Sequence, residues 1–480
     1  MNTPVFGPRP HAGATGAAAP LASVVGFLVC VEIASGAIQG YYTPLFADIA
    51  RHLGIRDADV NWFEAAQLAL SAIAVPVLSK LGDLRGHKQV LLATTIVAAL
   101  AAWAVAFAGN AVAFGLAWAI VGVYVVWLPM EVAIVHRRTA GDDRRTRQAS
   151  AVLVASLEAS VIAAALAGGA LADVLPFSLL LAVPAAVVSL AALAVWLGVP
   201  AAPPSATGGI DTRGTAWLVA SLSLIMGGLM ALRVWGPGSV WPWLLLAAGS
   251  AAAVGSTRVE LAAPTPLVDL RVLGARAQWP IQVTAMLFGA SILGAQIPLS
   301  TFSRTDPAIT GYGLGMTASG VSMLIGAYVL SVLLGALSVP LVTRRVAPRR
   351  AMVLACLLVG VGYGLYLPSH GSAAAVLVNM LIAGVGSGAL VALLPAVAAH
   401  YAPPTHTAVA TGMTNAIKTI GGAFASCAYA LALAGSGLEG PAANHAPLAG
   451  YLTVWAICSG TALAAAAILI LTRHGAPRPA

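Results

Sequence analysis

The sequence predicts an all-helical protein that crosses a lipid bilayer fourteen times. Three observations carry that prediction. Of 480 residues, 59% are apolar and 8% are charged, about a third of the charged share of an ordinary soluble domain. The apolar residues gather in runs of about 20, the length a helix needs to cross the hydrocarbon core. The intervening polar stretches are too short to hold a catalytic domain. So few charges cannot clothe a soluble surface, and the apolar content excludes disorder. In lipid, only helices can satisfy the backbone hydrogen bonds of so many long segments.

The elements follow in chain order. Residues 1–20 are rich in Pro, Ala and Gly, and the first apolar run, 22–44, is too long for a signal-peptide core, so it reads as a retained span. Helix two runs over 62–80 and helix three over 89–108. Helix four, 112–135, carries Pro129, which bends a helix by removing a backbone donor. Helix five, 149–171, follows an arginine-rich loop, and helix six, 177–198, ends at the Pro-, Gly- and Ser-rich stretch Pro200–Gly214. Helices seven and eight, 215–234 and 240–256, are followed by the polar segment Arg258–Ala277. The last six helices cover 279–300, 316–342, 351–367, 374–399, 408–434 and 448–472.

Orientation follows from the basic residues. With the N-terminus inside, the inner segments hold 19 of the 24 Lys and Arg, from Arg9 through the cluster Arg137, Arg138, Arg144, Arg145 and Arg147 to Arg473 and Arg478. The outer segments hold four, Arg51, Arg56, Arg233 and Arg304, and Lys418 lies within a span. That asymmetry predicts both termini in the cytoplasm. It also accounts for the net charge of +8 without a nucleic-acid partner. The four cysteines, Cys30, Cys356, Cys427 and Cys458, sit in apolar runs without a CxxC spacing and read as small packing residues. Neither a metal nor a cofactor is expected.

The chain divides into residues 1–199, a six-helix bundle; 200–257, a linker and two extra helices; and 258–480, a second six-helix bundle. Helices five and thirteen look alike: each follows a polar inner loop, bears one charge about ten residues in (Glu158, Lys418) and has a Gly-Gly pair, Gly168-Gly169 and Gly421-Gly422. Two six-helix halves in one orientation imply a pseudo-twofold axis along the membrane normal.

Between helices two and three the chain reads Ser79-Lys80-Leu81-Gly82-Asp83-Leu84-Arg85-Gly86-His87-Lys88. This turn resembles the major facilitator superfamily signature G-x-L-x-D-R-x-G-R-R, with Ser79 in place of the first Gly and Arg85 one place from the usual basic position. Gly86 permits unusual backbone angles, and Asp83 can engage a helix N-terminus or a basic neighbour. The fourteen spans, Pro266-Leu-Val-Asp-Leu270, Tyr312-Gly-Leu-Gly315 and the stretch Ala410–Gly422 together resemble the fourteen-spanner drug:proton antiporters of that superfamily. The resemblance implies the major facilitator fold, with Gly82, Asp83, Arg85, Gly86 and Lys88 as a conformational latch. The sequence departs from the family pattern where Trp118 replaces an Arg, Ala164-Ala165 replaces a Gly-Pro, and helix one lacks an Asp. The matching turn of the second half, Thr343–Arg350, has lost its Asp.

A charge at mid-bilayer costs about 2.5–3.5 kcal/mol on insertion scales, which makes such residues functional candidates. Glu32, Glu131 and Glu158 fall within spans, and Glu64 near an outer end. At about 1.5 Å per residue, Glu32 and Glu158 stand about 15 Å from the inner face. In the implied fold these four acids lie on helices one, two, four and five, which face the central cavity. Burial at that depth penalises the ionised carboxylate, so a glutamate that water reaches in one state and not in another can carry protons. Glu32, Glu158 and Glu131 are therefore the proton-coupling candidates, with Glu32 and Glu158 expected to titrate as a pair.

Polar and aromatic neighbours share their faces. Ser35 and Gln39 follow Glu32, Gln67 and Ser71 follow Glu64, and Tyr124 and Trp127 precede Glu131 at helical spacing. With Asn415 and Lys418 they form the candidate substrate cavity, in which ring faces and acids suit a cationic or aromatic solute. Such polar residues also hold helices together without binding anything. Lys418 stands close to the pseudo-symmetric counterpart of Glu158, where it either attracts that glutamate or bonds locally to Asn415 and nearby carbonyls.

Other signals are weaker. Gly412–Thr419 nearly matches a phosphate loop but has Ile417 where Gly is needed. Gly384, Gly386 and Gly388 suit close helix packing. His52 and Asp57 have the spacing of an acyltransferase pair but lie in an outer loop. The expected function is proton-coupled export of a small amphipathic neutral or cationic compound, with uptake or uniport of a metabolite as the alternative and membrane-embedded acyl transfer as a remote one. The expected partners are that solute, protons and the lipid bilayer. An Arg excess of 21 to 3 over Lys, with abundant Ala and Gly, points to a GC-rich bacterium and a plasma-membrane location; a monomer is expected.

Overall fold

A computed structural model describes residues 20–139, 142–204, 211–263, 270–402, 407–435 and 443–472. Arg9, Arg473, Arg478 and the Pro266–Asp269 part of the family-like segment lie outside the described residues. The described chain is helical, without strands, and fourteen helices have the length and apolarity to cross a membrane. They are α1 (Leu21–Leu53), α2 (Asp57–Arg85), α3 (His87–Ala106), α4 (Ala111–Arg138), α5 (Asp143–Leu171), α6 (Phe177–Gly198) and α7 (Thr212–Trp235). The rest are α8 (Val240–Ala262), α9 (Trp279–Arg304), α10 (Ala318–Thr343), α11 (Pro348–Leu365), α12 (Ala373–Tyr401), α13 (Thr407–Leu433) and α14 (Leu448–Leu471). The end of the bundle that holds Leu21 and Leu471 is here the proximal end, and the opposite one the distal end.

Three of these spans are interrupted, each around or just ahead of a proline. α1 breaks into a 3₁₀ turn at Thr43–Leu45, around Pro44. α4 changes to 3₁₀ winding over Gly122–Val126, ahead of Pro129. In α9 the helix lapses between Ile292 and Gln296, ahead of Pro298. A proline lacks the N–H that would reach the carbonyl four residues back, and its ring pushes that carbonyl aside. Pro76, Pro184, Pro340 and Pro395 stand inside helices that stay continuous.

Two apolar cores form. One draws almost wholly on residues 24–199, and the other on residues 281–469 with Ala58 of α2 and Ala165 of α5 packed into it. In each, the first and fifth helices meet through glycine. A Cβ on Gly40 of α1 would strike the Val161 carbonyl of α5, and one on Gly289 of α9 would strike the Lys418 carbonyl of α13. Gly384, Gly386 and Gly388 likewise let α12 approach α10 and α11. The cysteines are all free, and Cys356, Cys427 and Cys458 are buried packing residues, whereas Cys30 is exposed. The expectation of packing therefore fails for Cys30, on the face of α1 that has no close neighbour at that level.

α7 and α8 pair with one another, and α7 also packs against α2 and α13. Its Met226 Sδ sits 3.3 Å from Cys427 Sγ, and Arg233 meets Asp59 at 3.2 Å. The hairpin thus lies along the seam where the two groups of six helices touch.

Candidate functional site

The proximal turn between α2 and α3 is built as its residue types suggest. Gly86 holds φ +104° and ψ +131°, a region that costs any other residue strain. Its N–H donates to Gly82 O at 2.8 Å. Gly82 has no room for a side chain, because a Cβ there would meet Met130 Sδ at 2.7 Å. Asp83 lies 3.3 Å from His87 Nε2, Arg85 is exposed, and Lys88 Nζ donates to Trp196 O at 3.1 Å. In the second half Arg349 Nε donates to Leu469 O at 2.7 Å. In both halves, then, a cation at the start of the third helix binds a carbonyl near the end of the sixth, where the helix dipole is negative. The second half keeps the anchoring cation of the turn although it has lost the acid.

Along α1 the packing changes with depth. Ala22, Gly26, Cys30 and Ile33 lie exposed on one face, and nothing comes near Gly26. On the same face further along, Gly36 and Gly40 are pressed against Ser160 and Val161 of α5. α13 repeats the pattern: Gly412 has open space around it, while Gly421 abuts Met286 and Gly422 abuts Leu293 and Leu68. The helices therefore diverge from the middle of the bundle towards the proximal end and leave a cleft there.

Glu158 and Lys418 face each other across that cleft, both half-buried. Their charges attract one another, but among the described residues they form no direct ion pair. Asn415 lies one turn from Lys418, also half-buried, and its carbonyl accepts from Thr419 Oγ1 at 2.9 Å.

Glu32 and Glu131 are placed differently from the expectation of water-reached carboxylates. Both are wholly buried, 0% exposed. Their carboxyl groups meet, and among the described residues no N–H or O–H donor reaches any of their four oxygens. Glu32 thus pairs with Glu131 rather than with Glu158, which is a more distant electrostatic neighbour. Glu131 follows the 3₁₀ stretch Gly122–Val126, on the part of α4 that packs against α1, and Ser160 Oγ of α5 donates to the Glu32 main-chain carbonyl at 3.2 Å. Two carboxylates in contact without a cation repel strongly, and one shared proton converts the repulsion into a hydrogen bond.

The remaining cavity candidates divide. Gln39 Nε2 donates to Ser35 Oγ at 3.1 Å, a local link along α1. Ser71 Oγ donates within reach of both Gln67 O and Gly122 O at 2.8 Å, pinning α2 to the unwound part of α4. The Gln67 Nε2 donor is buried without a partner among the described residues. Tyr124 and Trp127 meet edge to face with centroids 6.1 Å apart, and Trp127 is fully buried. Glu64 is half-buried beside Trp118 and Tyr124. Trp118, where the family pattern has an Arg, packs among Tyr42, Phe46 and Phe114.

The distal end is closed by a set of contacts that sequence reasoning missed. Asp48 Oδ1 pairs with Arg304 Nη2 at 2.7 Å, joining α1 to α9. Asp57 Oδ2 lies 3.0 Å from His445 Nδ1, and the Asp57 N–H donates to Asn444 O at 3.2 Å. Ser300 Oγ donates to Thr43 O at 2.6 Å, and Ser319 Oγ to Gly169 O at 3.0 Å. The hydrogen bond to Asp57 pushes the His445 imidazole above its usual range, so it holds a proton more readily. The paired signs of Asp48, Asp57, Asp59, Arg233 and Arg304 near the distal helix ends were the available signal. Asp57 is thus committed to His445, while His52 packs against Phe177 with ring centroids 4.5 Å apart and the rings tilted by 35°. The acyltransferase pairing of His52 with Asp57 is not formed.

Comparison with known proteins agrees with this architecture. Residues 28–426 match the family model described as Major Facilitator Superfamily. The chain is 25% identical over 419 residues to the cephamycin export protein CmcT of Amycolatopsis lactamdurans, spanning 84% of this chain and 83% of that protein. Among solved structures it is similar to the peptide transporter POT in complex with sulfate, with a TM-score of 0.67 at 15% identity over 94% of this chain and 93% of that one. The nucleoside transporter NupG gives 0.63 at 14% identity over 94% and 98%, and the human organic anion transporter MFSD10 gives 0.59 at 17% over 94% and 100%. At those identities the likeness is one of fold. With a family match across most of its length and this fold, the chain belongs to the Major Facilitator Superfamily and is a membrane transporter, not an enzyme.

Proposed function

We propose that this transporter exports a small amphipathic, neutral or cationic compound in exchange for protons, by alternating access between residues 1–199 and 258–480. The observation that carries the proposal is the Glu32–Glu131 carboxyl pair, closed to solvent and, among the described residues, without a hydrogen-bonding counter-cation. A site of this kind is stable while it holds a proton and unstable once both groups ionise. Its discharge must therefore accompany a rearrangement that admits water or a cation. Glu158, partly accessible in the cleft and electrostatically linked to both Glu32 and Lys418, is the group through which that proton and the solute compete.

Direction rests on two supports. The 19-to-4 excess of basic residues puts the proximal end in the cytoplasm, so the cleft opens inward and the paired distal contacts close the outer side. The relative CmcT is named as an export protein. On this reading the protein is a monomer in a bacterial plasma membrane. Gly82, Asp83, Arg85, Gly86 and Lys88 form the inner latch, remade when the cleft closes. The test is accumulation of a panel of lipophilic cations and neutral amphiphiles in everted vesicles energised with a proton gradient. The proposal expects uphill uptake that collapses with the gradient in wild type and is lost in Glu131→Gln. Transport indifferent to the gradient overturns proton coupling, and uphill accumulation only in right-side-out vesicles overturns export.

A further inference from the structure

Two charged ties close the distal end between the groups of six helices, Asp48–Arg304 and Asp57–His445. One loop stands behind both. It runs from Asp306 to Met316, between α9 and α10, and contains the family-like stretch Tyr312-Gly-Leu-Gly315.

Its first hold is on Arg304. The Met316 N–H donates to Ser303 O and the Gly315 N–H to Thr305 O, each at 2.9 Å, so the loop folds back onto the end of α9. That return brings the Met316 carbonyl to Arg304, whose Nη1 donates to it at 3.0 Å while Nη2 donates to Asp48 at 2.7 Å. A planar guanidinium held through one nitrogen presents the other in a fixed direction. The return demands glycine at one point: Gly313 has φ +98°, and a Cβ there would strike the Thr305 carbonyl.

Its second hold is on the segment before α14. The Tyr312 hydroxyl donates to the Ala446 carbonyl, and its ring packs on Phe302 and Tyr451 with centroids 6.4 and 6.3 Å away. Ala446 directly follows His445, whose Nδ1 lies 3.0 Å from Asp57 Oδ2. Asn444, directly before His445, accepts from the Asp57 N–H. The charged groups that act on His445 are Asp57 of α2, Arg51 of α1 and Asp306 at the start of the loop itself.

We propose that the 306–316 loop is the common brace of the distal closure, with Tyr312 as its positioning residue, so that the Asp48–Arg304 and Asp57–His445 ties form and break together. Contacts on independent supports contribute additively, whereas contacts that share a support do not. Fixing the Arg304 guanidinium and residues 444–446 on one loop means that losing either tie spoils the alignment of the other. Distal opening is then a single two-state event rather than a stepwise fraying. The proposal holds whatever the solute and whichever way it is carried.

Spin labels at Gly109→Cys and Gly371→Cys test it without transport. These are exposed distal positions, one in each half, with open space for a side chain. In the full chain with Cys30→Ser, reconstituted into phosphatidylcholine vesicles, the distance distribution between them gives the open-to-closed ratio of the distal end. Arg304→Ala and His445→Gln are each expected to raise that ratio, and together to raise it by less than the product of the two. Tyr312→Phe keeps the ring and loses the hydroxyl. In that background the ratio is expected to rise by about 2–12-fold, the worth of one hydrogen bond, and the two tie variants to multiply. The pH at which the distal end opens should also fall towards the ordinary histidine range. Multiplying effects with Tyr312 in place overturn the brace, a result that needs no loop variant to fold. If Tyr312→Phe leaves both the less-than-multiplicative pairing and the pH of opening as in wild type, the positioning role of Tyr312 is overturned.

Discussion

Glu32 and Glu131 concentrate the chemistry of this molecule in two side chains, and the sequence shows only half of their arrangement. Helical spacing puts Glu32, Ser35 and Gln39 on one face of one helix, but it says nothing about which carboxyl arrives from a helix about a hundred residues away. That depends on the unwinding ahead of Pro129, and four other prolines in this chain leave their helices intact. Replacing Glu131 by Gln removes the shared proton while keeping a donor for Glu32. Proton-driven transport should then fall by about 5–150-fold, the range of typical coupling free energies, while gradient-independent exchange persists. Glu158→Gln and Lys418→Met should each flatten the pH profile of transport, and unaltered profiles in both variants would dismiss the attraction across the cleft. Gly86, by contrast, was legible from its place in the turn alone. Gly86→Ala forces φ +104° on a side chain and should destabilise the folded protein by about 1–3 kcal/mol, read as a lowered unfolding temperature in detergent.

At the level of elements, apolar run length predicted all fourteen spans because lipid thickness leaves helices little latitude. The pairing in the distal closure was not legible, since its partners are single charges near the ends of separate helices, and their signs alone do not say which acid meets which base. Asp48–Arg304 is partly buried, so Arg304→Ala should weaken closure by about 1–3 kcal/mol. Exchange of the two charges, Asp48→Arg with Arg304→Asp, should restore it. Distances between spin labels on the ends of α1 and α9 report both. His445 adds a pH dependence whose sign follows from its raised value. Its protonated form holds Asp57, so its contribution to closure is complete below the ordinary histidine range. It is lost as the pH on the distal side rises through the raised one. His445→Gln should abolish that dependence, and a wild type whose distal end opened on acidification would contradict the assignment.

For the whole molecule, the glycines of α1 and α13 are pressed against neighbours at Gly36, Gly40, Gly421 and Gly422 and open at proximal Gly26 and Gly412, with the α7–α8 hairpin covering the α2–α13 seam. Sequence symmetry between helices five and thirteen leads to the expectation of paired halves but carries no information on the direction of the splay, which is a choice between conformations of one sequence. Alternating access on this frame requires a group whose charge depends on which side is open. That requirement reduces to whether a carboxylic acid inside the membrane keeps its proton while the bulk solution is neutral. Infrared difference spectroscopy across a pH titration observes the carbonyl stretch of a protonated carboxyl directly. The account predicts such a band in wild type at neutral pH, diminished in Glu131→Gln. A wild-type spectrum without a protonated carboxyl at neutral pH, or a band untouched by the substitution, would contradict it.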